Sequence, residues 1–161
     1  MAFVTPTDVA TGEVLTASRY NQDVVENTIA LPRGIVAYAE KTSDQTGISA
    51  AADITSLSVT WTADSSRYYR ISLYLAPIRQ NTSPAVVVPV IADGSSTTKV
   101  QANITLVAGD FGLVTIAEVV TGLSGSITRK ARISATGGTV DVLAATATEG
   151  NYLIVEDLGQ A

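Results

Sequence analysis

Residues 54–78 read ITSLSVTWTADSSRYYRISLYLAPI, two alternating runs on either side of a short polar turn. In the first run Leu57, Val59 and Trp61 fall on one side of an extended chain and Ser58, Thr60 and Thr62 on the other, because successive strand side chains point to opposite faces. This is the pattern of a half-buried antiparallel strand. Ala63-Asp64-Ser65-Ser66 is built of turn formers. Beyond it Tyr69, Ile71, Leu73 and Leu75 share one face, and Tyr68, Arg70, Ser72 and Tyr74 the other. Both faces of this second strand carry large groups, so its second face is also expected to meet protein.

The same period recurs on both sides of these two runs. Upstream, Gly34 to Glu40 alternates, with Ile35, Ala37 and Ala39 opposite Val36 and Tyr38, and a polar connection follows from Lys41 to Ala52. Downstream of a loop at Gln80 to Pro84, the apolar run Ala85 to Ala92 contains Pro89, which cannot donate to a ladder and predicts an edge or a bulge. Asp93-Gly94, prolonged by Ser95-Ser96, predicts a turn. Lys99 to Ala108 and Phe111 to Val120 flank Gly109-Asp110 as a further hairpin-like pair. Ser126 to Ala135 places Ile127, Ala131 and Ile133 inward and Arg132 outward; Gly137-Gly138 turns into Val140 to Thr146, and Tyr152 to Val155 closes the chain. The sum is about eight strands at the spacing of a sandwich, with no helical stretch between them to cross over a parallel sheet.

The helical period is confined to Gly12 to Gly34, GEVLTASRYNQDVVENTIALPRG. Thr16 or Ser18 can cap its start, and Leu31-Pro32-Arg33-Gly34 stops it, since the residue before a proline is pushed out of the α region. Between these signals Tyr20, Val24, Asn27 and Leu31 follow 4-3-4 spacing, an apolar stripe with one amide in it. A helix of roughly 15 residues is marginal alone in water, so the stripe is expected to pack on something. One possibility is the β domain of its own chain. The other is copies of itself, where a lone Asn in the seam sets register and oligomer state. The expected fold is therefore mainly β, a jelly-roll-like antiparallel β-sandwich at 34–161 preceded by one N-terminal α-helix in an arm at 1–33. Tyr20, Val24, Asn27 and Leu31 are the candidate oligomerisation and attachment residues.

Composition narrows the function. Of 161 residues 46% are hydrophobic and only 16% charged, against about 25% in an ordinary soluble domain, so part of the surface is expected to be covered by partners. The net charge of −5 argues against nucleic acid, which needs clustered Lys and Arg to neutralise phosphates. The runs at Arg67 and Arg70, and at Arg129, Lys130 and Arg132, are short and read as solvated rims or intersubunit pairs. Residues 1–14 lack the basic and apolar regions of a secretory signal. No run approaches the ~18 apolar residues of a membrane span, so no membrane insertion is expected, and host lysis is one route out of the cell.

Neither cysteine nor histidine is present. Ser-His-Asp and Cys-His catalysis, disulfides and thiolate metal sites are thereby excluded, and no cofactor is expected. Carboxylate pairs are the remaining catalytic option, as in glycosidases. Asp44 with Asp53, or Glu156 with Asp157, are the candidates, each in a turn or terminus where acids are commonly plain solvated groups. Gly122 to Gly125 and Gly137-Gly138 precede no helix and so do not make phosphate loops. A free carbohydrate-binding module would need an aromatic platform from Trp61, Tyr68, Tyr69 and Tyr74, but Trp61 shares the inward face of Leu57 and Val59 and reads as core. A non-enzyme is expected.

Gly12 to Ala17, Tyr20-Asn21 and Val24 to Asn27 resemble the opening of small virion proteins of tailed phages, chiefly those of actinobacterial hosts, in which a similar phrase precedes a short helix and Leu-Pro-Arg-Gly leads into the sandwich. The resemblance continues through Ile35 to Ala39, Gln45 to Ile48, Asp53 to Thr55, Arg67 to Ile71 and the closing Tyr152 to Gly159, and is much weaker over 77–124. It implies a virion structural role of the minor tail protein, fibre or capsid decoration type, made in the host cytoplasm and carried on the virion surface. Its implied partners are two further copies of itself, as a homotrimer, and the major capsid or tail protein. Two placements stay open. One is a capsid decoration or head fibre; the other is a tail fibre tip whose loops Gln80 to Pro84 and Ser95 to Thr98 touch a host-surface glycan.

Overall fold

A computed structural model describes residues 16–20, 30–146 and 150–161. Among these residues the chain forms β1 (Gly34–Glu40), β2 (Gln45–Ile48), β3 (Ala52–Ala63), β4 (Arg67–Gln80), β5 (Ala85–Asp93), β6 (Thr98–Gln101), β7 (Ile104–Leu106), β8 (Phe111–Val120), β9 (Gly125–Thr136), β10 (Val140–Val142) and β11 (Tyr152–Gln160). They make two antiparallel sheets. In the first, β4 pairs with β8 along one side and with β11 and then β10 along the other; β1 lies outside β11, and β2 outside β10. In the second, the order is β3, β9, β5, with β6 and β7 sharing the far side of β5.

The two runs at 54–78 fall in different sheets, β3 in the second and β4 in the first, and their alternation sets the core. Leu57, Val59 and Trp61 of β3 face Ile71, Leu73 and Leu75 of β4 across one cluster, joined by Val87 and Ile91 of β5, Ile133 of β9, and Leu153 and Val155 of β11. Each fully buried side chain of this size contributes about 1.5–3 kcal/mol through the water it no longer orders. Trp61 is core as expected, its ring tilted against Tyr69 at a centroid distance of 5.8 Å. Ile133 and Ala131 point inward and Arg132 outward, again as the period predicts.

Several expectations are corrected. Strand β5 is not an edge: it pairs with β9 on one side and with β6 and β7 on the other. Pro89 is tolerated because its missing donor falls where the partner strand is broken between β7 and β6, and its carbonyl on that side accepts from Ala102 at 3.1 Å. The 41–52 connection contains β2, and β11 runs past Val155 to Gln160 through a bulge between Asp157 and Gly159. The expected helix is represented by one turn, Ala17–Tyr20, with the Tyr20 amide donating to the Thr16 carbonyl at 2.9 Å. Val24 and Asn27 lie outside the described residues.

The arm meets the sandwich at a defined place. Arg67, at the start of β4, donates to the Leu31 carbonyl at 2.6 Å. Gly159 of β11 has φ +106, and a Cβ there would stand 2.9 Å from the Ala30 carbonyl oxygen, so glycine is needed both for the backbone angle and for the close approach of the arm.

Candidate functional site: the outer face of the first sheet

The two sheets present unlike faces to solvent. On the second sheet, Ser58, Thr60 and Thr62 of β3 and Ser126, Thr128 and Ser134 of β9 make a field of hydroxyls, with Thr60 and Thr128 hydrogen-bonded at 2.9 Å. Asp53 lies on the same face and receives Lys130 at 2.8 Å and Arg132 at 2.7 Å; β5 adds Val86, Val88 and Val90. A face of this kind is well solvated as it stands.

The first sheet is different. Tyr38 of β1, Tyr152 of β11 and Tyr74 of β4 stand on its outer face in a row across three strands. Ring centroids are 6.1 Å apart for Tyr38 and Tyr152 and 5.0 Å for Tyr152 and Tyr74, with interplanar angles of 30° and 17°. The row follows from register: Tyr152 is directly opposite Tyr74, and Tyr38 is opposite Ile154, one step along the same face. Around it lie Ile35, Ile154, Ser72, Thr115 and Ala117; on this stretch of the face Arg70 and Glu156 neutralise each other in a two-bond pair at 2.8 and 3.0 Å, and the exposed Glu40 stands directly opposite Tyr152. Tyr38 is 53% exposed and Ile35 61%. Partial burial, with the adjacent Glu40 carboxylate, holds the Tyr38 hydroxyl above the usual phenol range.

This arrangement suits another protein surface better than a sugar. A sugar platform presents an open ring face, whereas here the ring of Tyr152 is stacked on both Tyr38 and Tyr74. Stacked tyrosines with a polar tip and few freely rotating bonds are the kind of group that interface cores collect. The large residues expected on the second face of β4 include Tyr74, which stands in this row. Tyr38 and Tyr152 escaped the sequence reading, although each sits in the outward phase of its own strand.

Of the seam residues, Tyr20 and Leu31 are 47% and 48% exposed, and Val24 and Asn27 lie outside the described residues. The proposed catalytic acids are each engaged. Asp44 accepts the Ala144 amide, Asp53 holds Lys130 and Arg132, Glu156 holds Arg70, and Asp157 holds Arg67 on the opposite face of β11. Hydrogen bonds from Lys130 to Asp53 and from Arg70 to Glu156 lower those two pKa values, the reverse of what a general acid requires. The two loops assigned to glycan contact lie at opposite ends of β5, and both are tied down internally. Gln80 bonds the Ser83 carbonyl, and Asp93 receives the Ser95 and Thr97 amides. A groove of about 370 Å³ beside the second loop has Asp93 and Arg129 in its wall, and both are occupied, by Lys99 and Glu118 respectively. Among the described residues no group of acids is placed to hold a metal ion, and no helix is long and apolar enough to cross a membrane.

No protein-family model matches the chain, and no curated protein does. Solved structures with a similar arrangement include Eiger TNF from S. frugiperda, at 8% identity and TM-score 0.48, covering 80% of this chain and 96% of that one. Infectious bursal disease virus, Gx strain, matches at 16% identity and TM-score 0.45 over 80% of this chain, which spans only 33% of the viral one. A Bacillus endospore appendage matches at 15% identity and TM-score 0.35, covering 80% and 92%. Likeness this distant says nothing about activity or partners.

Proposed function

We propose that this chain is a non-enzymatic structural protein of a phage virion, a homotrimer displayed on the capsid surface, with residues 1–33 as its attachment segment and a jelly-roll head at 34–161. The jelly-roll reading is supported by the strand orders: β1, β11, β4, β8 against β3, β9, β5, β6/β7 return each half of the chain beside the other in two interlocked Greek keys. The observation that carries the assembly reading is the row of stacked tyrosines across three strands of one sheet. A sheet face of this composition is stable in water when a partner covers it, and a chain with 16% charged residues has little else to keep it dispersed. The virion setting is supported by the sequence resemblance at both ends of the chain.

Sedimentation of the purified protein at micromolar concentration, with electron microscopy of particles made with and without it, tests this reading. A species of three chain masses and a projecting density on the capsid that disappears with the gene are expected. A monomer, or particles unchanged by its loss, overturns it. Density on the tail alone would move the protein to the tail tip.

A further inference from the structure

The geometry points to a head-to-tail contact in which the β8 column of one copy seats on the tyrosine row of the next; this rests on the assembly reading above and specifies its interface. Strand β8 pairs with β4 alone among the described strands, so it is a free edge of the first sheet, as β1 and β2 are elsewhere. It is a lightly guarded edge: ten residues long, without lysine or proline, with its one acid, Glu118, turned inward to Arg129, and with one register shift in its ladder, between Leu75 and Ile78 of β4. Natural sheets protect such edges, by charge, by bulges or by covering them.

The outward column of β8 is Phe111, Leu113, Thr115, Ala117 and Val119, all exposed, with Phe111 and Leu113 at 61% and Val119 at 62%. Large residues bracket two small ones. Register places Thr115 level with Tyr74 and Tyr152, and Ala117 level with Ser72, Ile154 and Tyr38. A closed ring is made by rotation without translation. When the axis runs along the strands, each level of one copy meets the same level of the next, and the tyrosine row enters the notch at Thr115 and Ala117 while Leu113 and Val119 close above and below it.

The number of copies follows from direction. The β8 column stands at a corner, between the direction its sheet faces and the direction its edge points. Seating that corner on a neighbour's face requires a rotation between a right angle and a half turn, and the ring that closes within that interval has three members. In such a ring the occupant of the face is a second copy of this chain, since the chain carries both the corner and the face, and each copy gives a corner and receives one.

Because the chain has no cysteine, disulfide trapping reads this contact directly. Tyr38 and Ala117 of one copy are separated by three strand spacings, about 14 Å, too far for a disulfide within a chain. The full chain carrying Tyr38→Cys and Ala117→Cys together is expected to oxidise to bands of two and three chain masses, while each single variant stays at one. Cross-linking of Tyr38→Cys alone would mean a face-to-face contact and overturn the proposal. So would no cross-link in the double variant, in which case the chain's own arm or a different protein covers the face.

Charge variants give a second reading. Tyr38→Asp and Ala117→Asp are each expected to be folded monomers by circular dichroism and sedimentation, and their mixture to form a one-to-one dimer that stops there, since only one intact corner and one intact face remain. A trimeric Ala117→Asp protein overturns the edge contact while leaving the virion reading intact; a monomeric wild type overturns the reading beneath it.

Discussion

Arg67 and Asp157 form an ion pair inside the sandwich, Nε to Oδ2 at 2.5 Å, with each side chain only 1% exposed. The Asp157 carboxylate also accepts the Gly159 amide at 2.9 Å, and Arg67 reaches past it to the Leu31 carbonyl. The pair therefore joins the first residue of β4, the bulge of β11 and the end of the arm. Removing one member leaves a buried charge without its partner, a loss of about 3–5 kcal/mol. Arg67→Met and Asp157→Leu are each expected to lower the melting temperature by roughly 10 °C. The double variant should lose less than the sum of the two, and urea unfolding of all four proteins measures the coupling.

Asn151 holds the opposite end of β4. Its Oδ1 accepts the Ala76 amide at 2.7 Å and its Nδ2 donates to the Leu143 carbonyl at 2.7 Å, all within the protein interior. The Asn151 backbone carbonyl accepts from Lys41 as well. Asn151→Ala leaves a buried donor and a buried acceptor unmet and is expected to cost about 2–3 kcal/mol. Asn151→Asp should be worse at pH 7, because a carboxylate would face the Leu143 carbonyl, and should recover in part at acid pH as the group takes up a proton. A more stable Asn151→Asp protein at pH 7 than at pH 5 would contradict the assigned bonds.

The sequence made the core and the sheet count legible because both depend on the period of two within each strand. Leu57, Val59 and Trp61 could be assigned inward without knowing their partners. The tyrosine row could not, since it depends on Tyr38, Tyr152 and Tyr74 being neighbours across strands far apart in the chain, and register between distant strands leaves no local trace. Pro89 misled for a related reason: its missing donor limits one side of a strand only at one rung, and a broken partner strand accommodates it. The buried roles of Arg67, Asp141 and Asp157 were hidden because charge type predicts exposure unless a partner is known.

Asp141 makes stability depend on acid. Burial pushes its carboxyl pKa up, but the Arg79 guanidinium, the Gly47 amide and the Asn81 side-chain amide together hold it below the usual carboxylate range. A carboxyl with a lower pKa folded than unfolded stabilises the fold fully above the unfolded value of about 3.9, and the contribution is lost as pH falls through the folded value. Asp141→Asn is expected to cost about 1–3 kcal/mol at pH 7, and the gap from wild type should shrink toward pH 3. Urea midpoints at the two pH values decide it; a gap that widens on acidification would show that the carboxylate is not what those donors hold.

Removal of residues 1–29 separates the two places where self-association could reside. The cut keeps Leu31, whose carbonyl Arg67 holds, so the sandwich retains the contact that closes its base. If the outer face of the first sheet supplies the grip, the shortened protein should still sediment as a trimer but should fail to join particles made without the native chain, because the attachment segment is gone. If the helical seam of Tyr20, Val24, Asn27 and Leu31 supplies it, the same protein should fall to monomers, and Asn27→Leu in the full chain should yield a mixture of oligomers rather than one species. Sedimentation and particle incorporation, measured on one preparation, give opposite patterns for the two seats of assembly.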